Sequence, residues 1–277
     1  MKLFQAAMAL FSRLFPRRAS RLALSLLTTP RIGTLSREAE YPEPDYRQPV
    51  GARARLDIWS GGPVRVLLVH GWSGHVSQFV PLMEQFDRQR YTLYVLQLPG
   101  HGDTPDGPSH VGDFIAAIRE AMALIGHPLD LAIGHSMGAG ALAFVMSEPV
   151  NIRSGVLIAA PAEFRSLVGR LADFLHFGQR ARQRLLDGMA ARVGMGFDEL
   201  DIARRGRDIR VPVLVVHDTR DREIPFADGL RLHRAIPAAE LFQTAGVGHR
   251  RVLSDKAVLD RILVFAGEAG GEVKVPA

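Results

Sequence analysis

The sequence predicts an α/β fold, a mostly parallel sheet with helices on both of its faces. Three observations carry that expectation. Short runs rich in Val, Leu and Ile recur between residues 64 and 244, almost unbroken by polar residues, as strands covered on both sides must be. Between them lie longer stretches with apolar residues three and four apart, the spacing of crossover helices. At the end of one such run, "GHSMGAG" at 134–140 sets a serine between glycines where a strand must turn sharply into a helix.

Residues 1–50 form a separate N-terminal segment. "MKLFQAAMALFSRLFPRRASRLALSLL" is interrupted at Ser12 and Arg13, too soon for a bilayer span of about 20 apolar residues. The basic "PRR" at 16–18 does not fit a secretory signal. With Arg13, Arg17, Arg18 and Arg21 among Leu and Phe, residues 1–27 read as a helix packed on its own domain. Weak contact with a membrane surface is the alternative. Residues 28–50, with Pro30, Pro42, Pro44 and Pro49, read as an extended connector, and the folded domain is expected to begin near Ala52.

The core is expected over 51–161 and 211–267. Strands fall at 64–70, 91–98, 129–135, 154–160, 211–217 and 240–244, and helices at 77–86, 111–126, 137–148 and 251–267. Residues 162–210 break the alternation. They are helical in pattern and rich in arginine, and about 50 residues exceed what a βα connection needs, so they read as an inserted cap. The glycine-rich 268–277 reads as a loose tail.

Composition narrows the chemistry. The chain has 277 residues, 47% of them hydrophobic, enough for a substantial core. It has no cysteine, which excludes disulfides, thiolate metal sites and a cysteine nucleophile, and fits a reducing, cytoplasmic setting, with peripheral membrane attachment as the alternative. A formal charge of +5, spread among acids, gives no reason to expect nucleic-acid binding.

In a parallel sheet the carboxyl ends of the strands collect the variable loops, and Ser136 falls at such an end. Glycines at 134 and 138 relieve a strained corner that would hold its hydroxyl above the first turn of a helix. A serine hydroxyl attacks only when an imidazole takes its proton, and the imidazole needs an acceptor behind it. His249, in the loop "GVGHR" after the last strand, is the best placed base. "HDTRDREIP" at 217–225 offers Asp218 and Asp221, and Asp221 is chosen because the strand must end before a side chain can swing toward His249. The oxyanion that forms during acyl transfer needs two backbone donors, for which Met137 and Trp72 are the candidates.

These residues together resemble the α/β-hydrolase superfamily in its serine esterase and lipase branch. "HGWSG" is similar to its oxyanion loop, "LPGHGDT" to the motif after the next strand, and "GHSMGAG" to its nucleophile elbow; "HDTRDREIP" and "GVGHR" are similar to its acid and histidine loops. The resemblance implies Ser136 as nucleophile, Asp221 as acid, His249 as base, and Trp72 and Met137 as oxyanion donors, with no metal or organic cofactor. It implies a small-molecule carboxylic ester or thioester substrate. Candidate pocket residues are His70, Gly71, His135, Phe164, Leu167 and Leu171. Where the family often carries an acid before "PGHG" this chain has Gln97, which is given no charge role, and His101 and Asp103 read as structural. Carbon–carbon bond hydrolysis, acyl transfer by the same triad, or a non-catalytic binding protein are the alternatives.

Overall fold

The computed structural model describes residues 2–30, 41–102, 104 and 107–269. Eight strands form one sheet: β1 (Tyr46–Val50), β2 (Ala54–Trp59), β3 (Val64–Val69), β4 (Tyr91–Gln97), β5 (Leu131–His135), β6 (Gly155–Ile158), β7 (Val213–Asp218) and β8 (Ala239–Thr244), in the order β1-β2-β4-β3-β5-β6-β7-β8. From β4 across to β8 all neighbours are parallel, while β2 is antiparallel to both β1 and β4. The expected α/β architecture is present.

Strand alternation divides the core into two layers. Leu67 and Val69 of β3 pack on one face with Phe114, Leu142 and Val215. Val66 and Leu68 point to the other, with Phe79, Ile133 and Phe265. The first layer is covered by α4 (Val111–Ile125), α5 (Ser136–Met146) and α9 (Phe226–Ala235), the second by the short α3 (Val80–Met83) and by α10 (Lys256–Ala269).

The sheet extends further toward the N-terminus than the connector reading allows. β1 and β2 lie before residue 64, and β1 pairs along all five residues of "YRQPV". Its proline and four exposed residues hide it in the sequence, since an edge strand buries one side at most. At the other end, 251–267 splits into a 3₁₀ turn and α10, because Asp255 intervenes and its carboxylate accepts the Val258 amide, starting a new helix.

Two helices precede the sheet, α1 (Lys2–Leu14) and α2 (Pro16–Thr28). Among the described residues no helix is long and apolar enough to cross a membrane. α2 buries Ala19 and Ala23 and ends with the Thr28 hydroxyl accepting from Arg192 at 2.7 Å and the Thr28 carbonyl accepting from the Ser109 amide at 2.7 Å. The 162–210 interval forms α6 (Phe164–Phe174), α7 (Gln179–Val193) and α8 (Ile202–Arg205), and α2 packs along α7.

Candidate active site

The order of strands puts the crevice of the sheet between β3 and β5, where the chain leaves β3 for β4 on one side and returns to β5 on the other. Ser136 closes that crevice. It opens α5 directly after β5 with φ 54°, a left-handed conformation that costs a non-glycine residue on the order of 1–3 kcal/mol. The corner is tight: a Cβ at Gly138 would collide with the His70 carbonyl oxygen, and one at Gly134 with the Ala139 backbone.

Three sequence-predicted side chains meet here. His249 Nε2 lies 2.9 Å from Ser136 Oγ, and His249 Nδ1 lies 2.7 Å from Asp221 Oδ2. The other oxygen of Asp221 accepts the amides of Glu223 at 2.8 Å and Ile224 at 2.9 Å. Burial pushes the Asp221 carboxyl up, but the hydrogen bonds from His249 and these amides outweigh it and hold it below the usual range. An ionised carboxylate accepts only, so Nδ1 carries the hydrogen and Nε2 faces the serine hydroxyl as an acceptor.

The two neighbouring aspartates have separate tasks. Asp218 takes hydrogen bonds from the Thr244 hydroxyl (2.8 Å) and from the amides of Arg220 (2.8 Å), Val247 (2.9 Å) and Gly246 (3.3 Å). It therefore fastens the start of the acid loop to the loop that carries His249.

Met137 is the second residue of α5, directly after Ser136, with its amide in the first turn of the helix. Trp72 follows β3 in a turn closed by the Gly74 amide bonding to the Gly71 carbonyl. His101 braces that turn: its Nε2 accepts the Ser73 amide at 3.0 Å while Nδ1–H donates to the Pro99 carbonyl. Burial lowers the His101 ring to about 4, keeping it neutral. This accords with a structural role for His101; Asp103 lies outside the described residues.

Three of the pocket candidates do other work. His70 is fully buried behind the turn, donating from Nδ1 to the Gly71 carbonyl and accepting the Leu98 amide at Nε2. Gly71 is a point of close approach, where a Cβ would stand 2.7 Å from that of Ser136. Leu171 packs on the core without reaching the cavity that Phe164 and Leu167 line. His135 has two roles. It borders a more polar recess beside Ser136, and its Nε2–H donates to the backbone carbonyl of His249 at 2.9 Å. Burial, then the neighbouring His249, lower its ring to about 3, so it holds the histidine loop as a neutral donor.

Ser136 opens on two spaces of different character. One, of about 220 Å³, is apolar, walled by Trp72, Met137, Phe164, Leu167, Met189 and Phe197, with Leu27 of α2 also on its wall. The other, of about 290 Å³, is bounded by Ser73, Gln78, His135, His249 and Arg250. Met189 and Val193 of α7 were overlooked in the sequence although their i,i+4 spacing marks one helix face. Leu27 carried no signal, because nothing local tells that α2 folds back over the crevice. His217 was also missed: its Nε2–H donates to the Ile224 carbonyl at 3.0 Å and steadies the turn whose amides hold Asp221.

Comparison with known proteins agrees with this fold. The chain is 26% identical over 234 residues to a monoacylglycerol lipase of Mycolicibacterium smegmatis, covering 66% of this chain and 79% of that one. It is 35% identical over 111 residues to a pimeloyl-[acyl-carrier protein] methyl ester esterase of Xanthomonas campestris pv. campestris, a match spanning 39% of this chain and 41% of the esterase. Among solved structures, a putative lipase from Acinetobacter baumannii superposes with a TM-score of 0.61 at 18% identity, covering 91% of this chain and 96% of that one. Residues 66–261 match the profile of the Alpha/beta hydrolase family, and the chain belongs to that family.

Proposed function

We propose that this protein is a serine hydrolase that cleaves carboxylic esters or thioesters of apolar acyl groups through an acyl-serine intermediate. The observation that carries the reading is the continuous relay from Asp221 through His249 to Ser136 Oγ at the mouth of an apolar cavity. His249 Nε2 takes the hydroxyl proton as Oγ attacks the carbonyl carbon. The oxygen that becomes negative is met by the amides of Met137 and Trp72. Collapse of the tetrahedral species expels the alcohol or thiol, which leaves with the proton from His249, and the acyl group stays on Oγ. A water activated by the same imidazole then releases the acid.

The two spaces divide the substrate. An acyl chain suits the apolar side, where Phe164, Leu167 and Val168 line the wall. The leaving group suits the polar recess beside His135 and Arg250. Residues 162–210 act in this reading as a cap that shapes the acyl side. The lipase and esterase activities named for the relatives support the reaction class.

A fluorophosphonate probe tests the reading directly. It should label the wild-type protein once and leave Ser136→Ala unlabelled, and hydrolysis of p-nitrophenyl esters should be lost with the label. An unlabelled wild type, or a Ser136→Ala variant that still hydrolyses the ester, would remove Ser136 from the chemistry.

A further inference from the structure

We infer that α1 and α2 form a docking surface for an anionic lipid bilayer. A helix on a globular protein ordinarily turns its apolar stripe inward. α1 is apolar on both sides: Ala9 is buried and Met8 packs on the core, yet large apolar side chains also face outward. Its inward contacts include polar ones: the Gln5 amide donates to the Phe174 carbonyl at 3.0 Å, and the buried Ser12 hydroxyl accepts the Gly178 amide at 2.9 Å. These tie α1 to the turn between α6 and α7. Its outward face carries Leu3, 85% exposed, with Phe4, Leu10 (58%) and Leu14 (62%).

The patch continues beyond α1. Phe15 at the joint between the helices is exposed, as are Leu22 and Leu26 of α2. Phe174 on the receiving turn is exposed as well. So many large exposed apolar side chains within two consecutive helices and the turn that receives them mark a contact site rather than ordinary surface scatter.

Charge selects the occupant. Residues 1–28 contain no aspartate or glutamate, and Arg13, Arg17, Arg18 and Arg21 are exposed among the apolar residues. A second copy of this chain seated face to face would bring arginines against arginines, with no acid in either helix pair to offset them. An anionic bilayer supplies both an apolar layer for the leucines and phenylalanines and phosphates for the arginines. The inner side of α2 gives Leu27 to the apolar cavity, so the docked surface and the cavity share one helix.

This inference does not rest on the hydrolase reading, since binding is measured without turnover. The full-length protein is sedimented with vesicles of phosphatidylcholine alone and of phosphatidylcholine mixed with phosphatidylglycerol. It should pellet with the mixed vesicles, less so as salt is raised. The double variant Leu10→Asp/Leu14→Asp should weaken partitioning at least tenfold, by about the free energy of keeping two leucines in water. Arg17→Gln/Arg18→Gln should weaken it about fivefold per arginine on mixed vesicles only. All four side chains are exposed, so both variants should keep the wild-type circular dichroism and melting temperature. A wild type that stays in the supernatant with both vesicles, or variants that pellet as wild type does, would overturn the inference. So would a dimer seen by light scattering that Leu10→Asp/Leu14→Asp dissolves while vesicle binding is absent, which assigns the face to a second copy.

Discussion

Replacing Asp221 by asparagine changes one atom, and the surroundings dictate where that atom goes. Oδ1 accepts two backbone amides, from Glu223 and Ile224, so the amide oxygen of the new side chain must stay there. The NH₂ group then occupies the place of Oδ2 and points at His249 Nδ1, which lies 2.7 Å from that oxygen. Two donors cannot face each other, so the imidazole moves its hydrogen to Nε2. Ser136 then meets a donor and has no base. The expected loss in kcat is about a thousand- to ten-thousandfold, equivalent to roughly 4–5.5 kcal/mol of transition-state stabilisation. KM should change little, because Asp221 does not line the apolar cavity.

Asp218→Asn makes the control: an NH₂ in the place of Oδ1 would face the amides of Arg220 and Gly246, whereas in the place of Oδ2 it donates to the Thr244 hydroxyl and forfeits only the Val247 amide. Hydrogen bonds to a charged acceptor are worth about 1.5–3 kcal/mol each, so this variant should lose on the order of 1.5–3 kcal/mol of stability, or about 5 °C in melting temperature. Steady-state hydrolysis of a p-nitrophenyl ester and a thermal melt on both variants decide the matter. If Asp221→Asn kept more than about a tenth of the wild-type kcat, the orienting role of the carboxylate would be refuted.

Two further outcomes are expected. His101 and His135 are buried and neutral, lowered to about 4 and about 3, whereas an unfolded histidine titrates near 6.5. Below that value the unfolded chain binds protons the folded one does not, so stability falls with pH by about 1.4 kcal/mol per pH unit for each ring. Between pH 6.5 and pH 4 the two rings together remove roughly 5–6 kcal/mol, comparable to the whole stability of a typical domain. Thermal melts from pH 7 to pH 4 should show the midpoint dropping steeply before most carboxylates protonate, and a flat midpoint down to pH 4.5 would contradict the burial of neutral rings. Leu167→Trp should fill the apolar cavity, lowering kcat/KM for an octanoyl ester at least about tenfold while leaving an acetyl ester within about threefold; equal losses on both would place the acyl chain elsewhere.

The local signals were strong wherever a short stretch must do one thing. A strand covered on both faces has to be apolar along most of its length, which is why β3 to β7 are legible as "VRVLLV" or "VLVVHD" without coordinates. A serine at a strained corner needs small neighbours, so Ser136 announces itself through Gly134 and Gly138. His249 and Asp221 could be named because each lies in a loop after a strand of the same parallel sheet, and such loops converge at one edge. What sequence alone could not yield is which groups meet once distant segments pack. Leu27 lies over one hundred residues from Ser136 in the chain yet lines the same cavity. His70 and His135 look alike as polar residues at strand ends, yet one is sealed behind a turn and the other holds the His249 loop by its carbonyl. The amphipathic N-terminal helices are evident from residue spacing, but whether their leucines face the domain or the solvent depends on what packs beneath them. Periodicity reports that a helix has two faces, and only long-range contacts select the one that is buried.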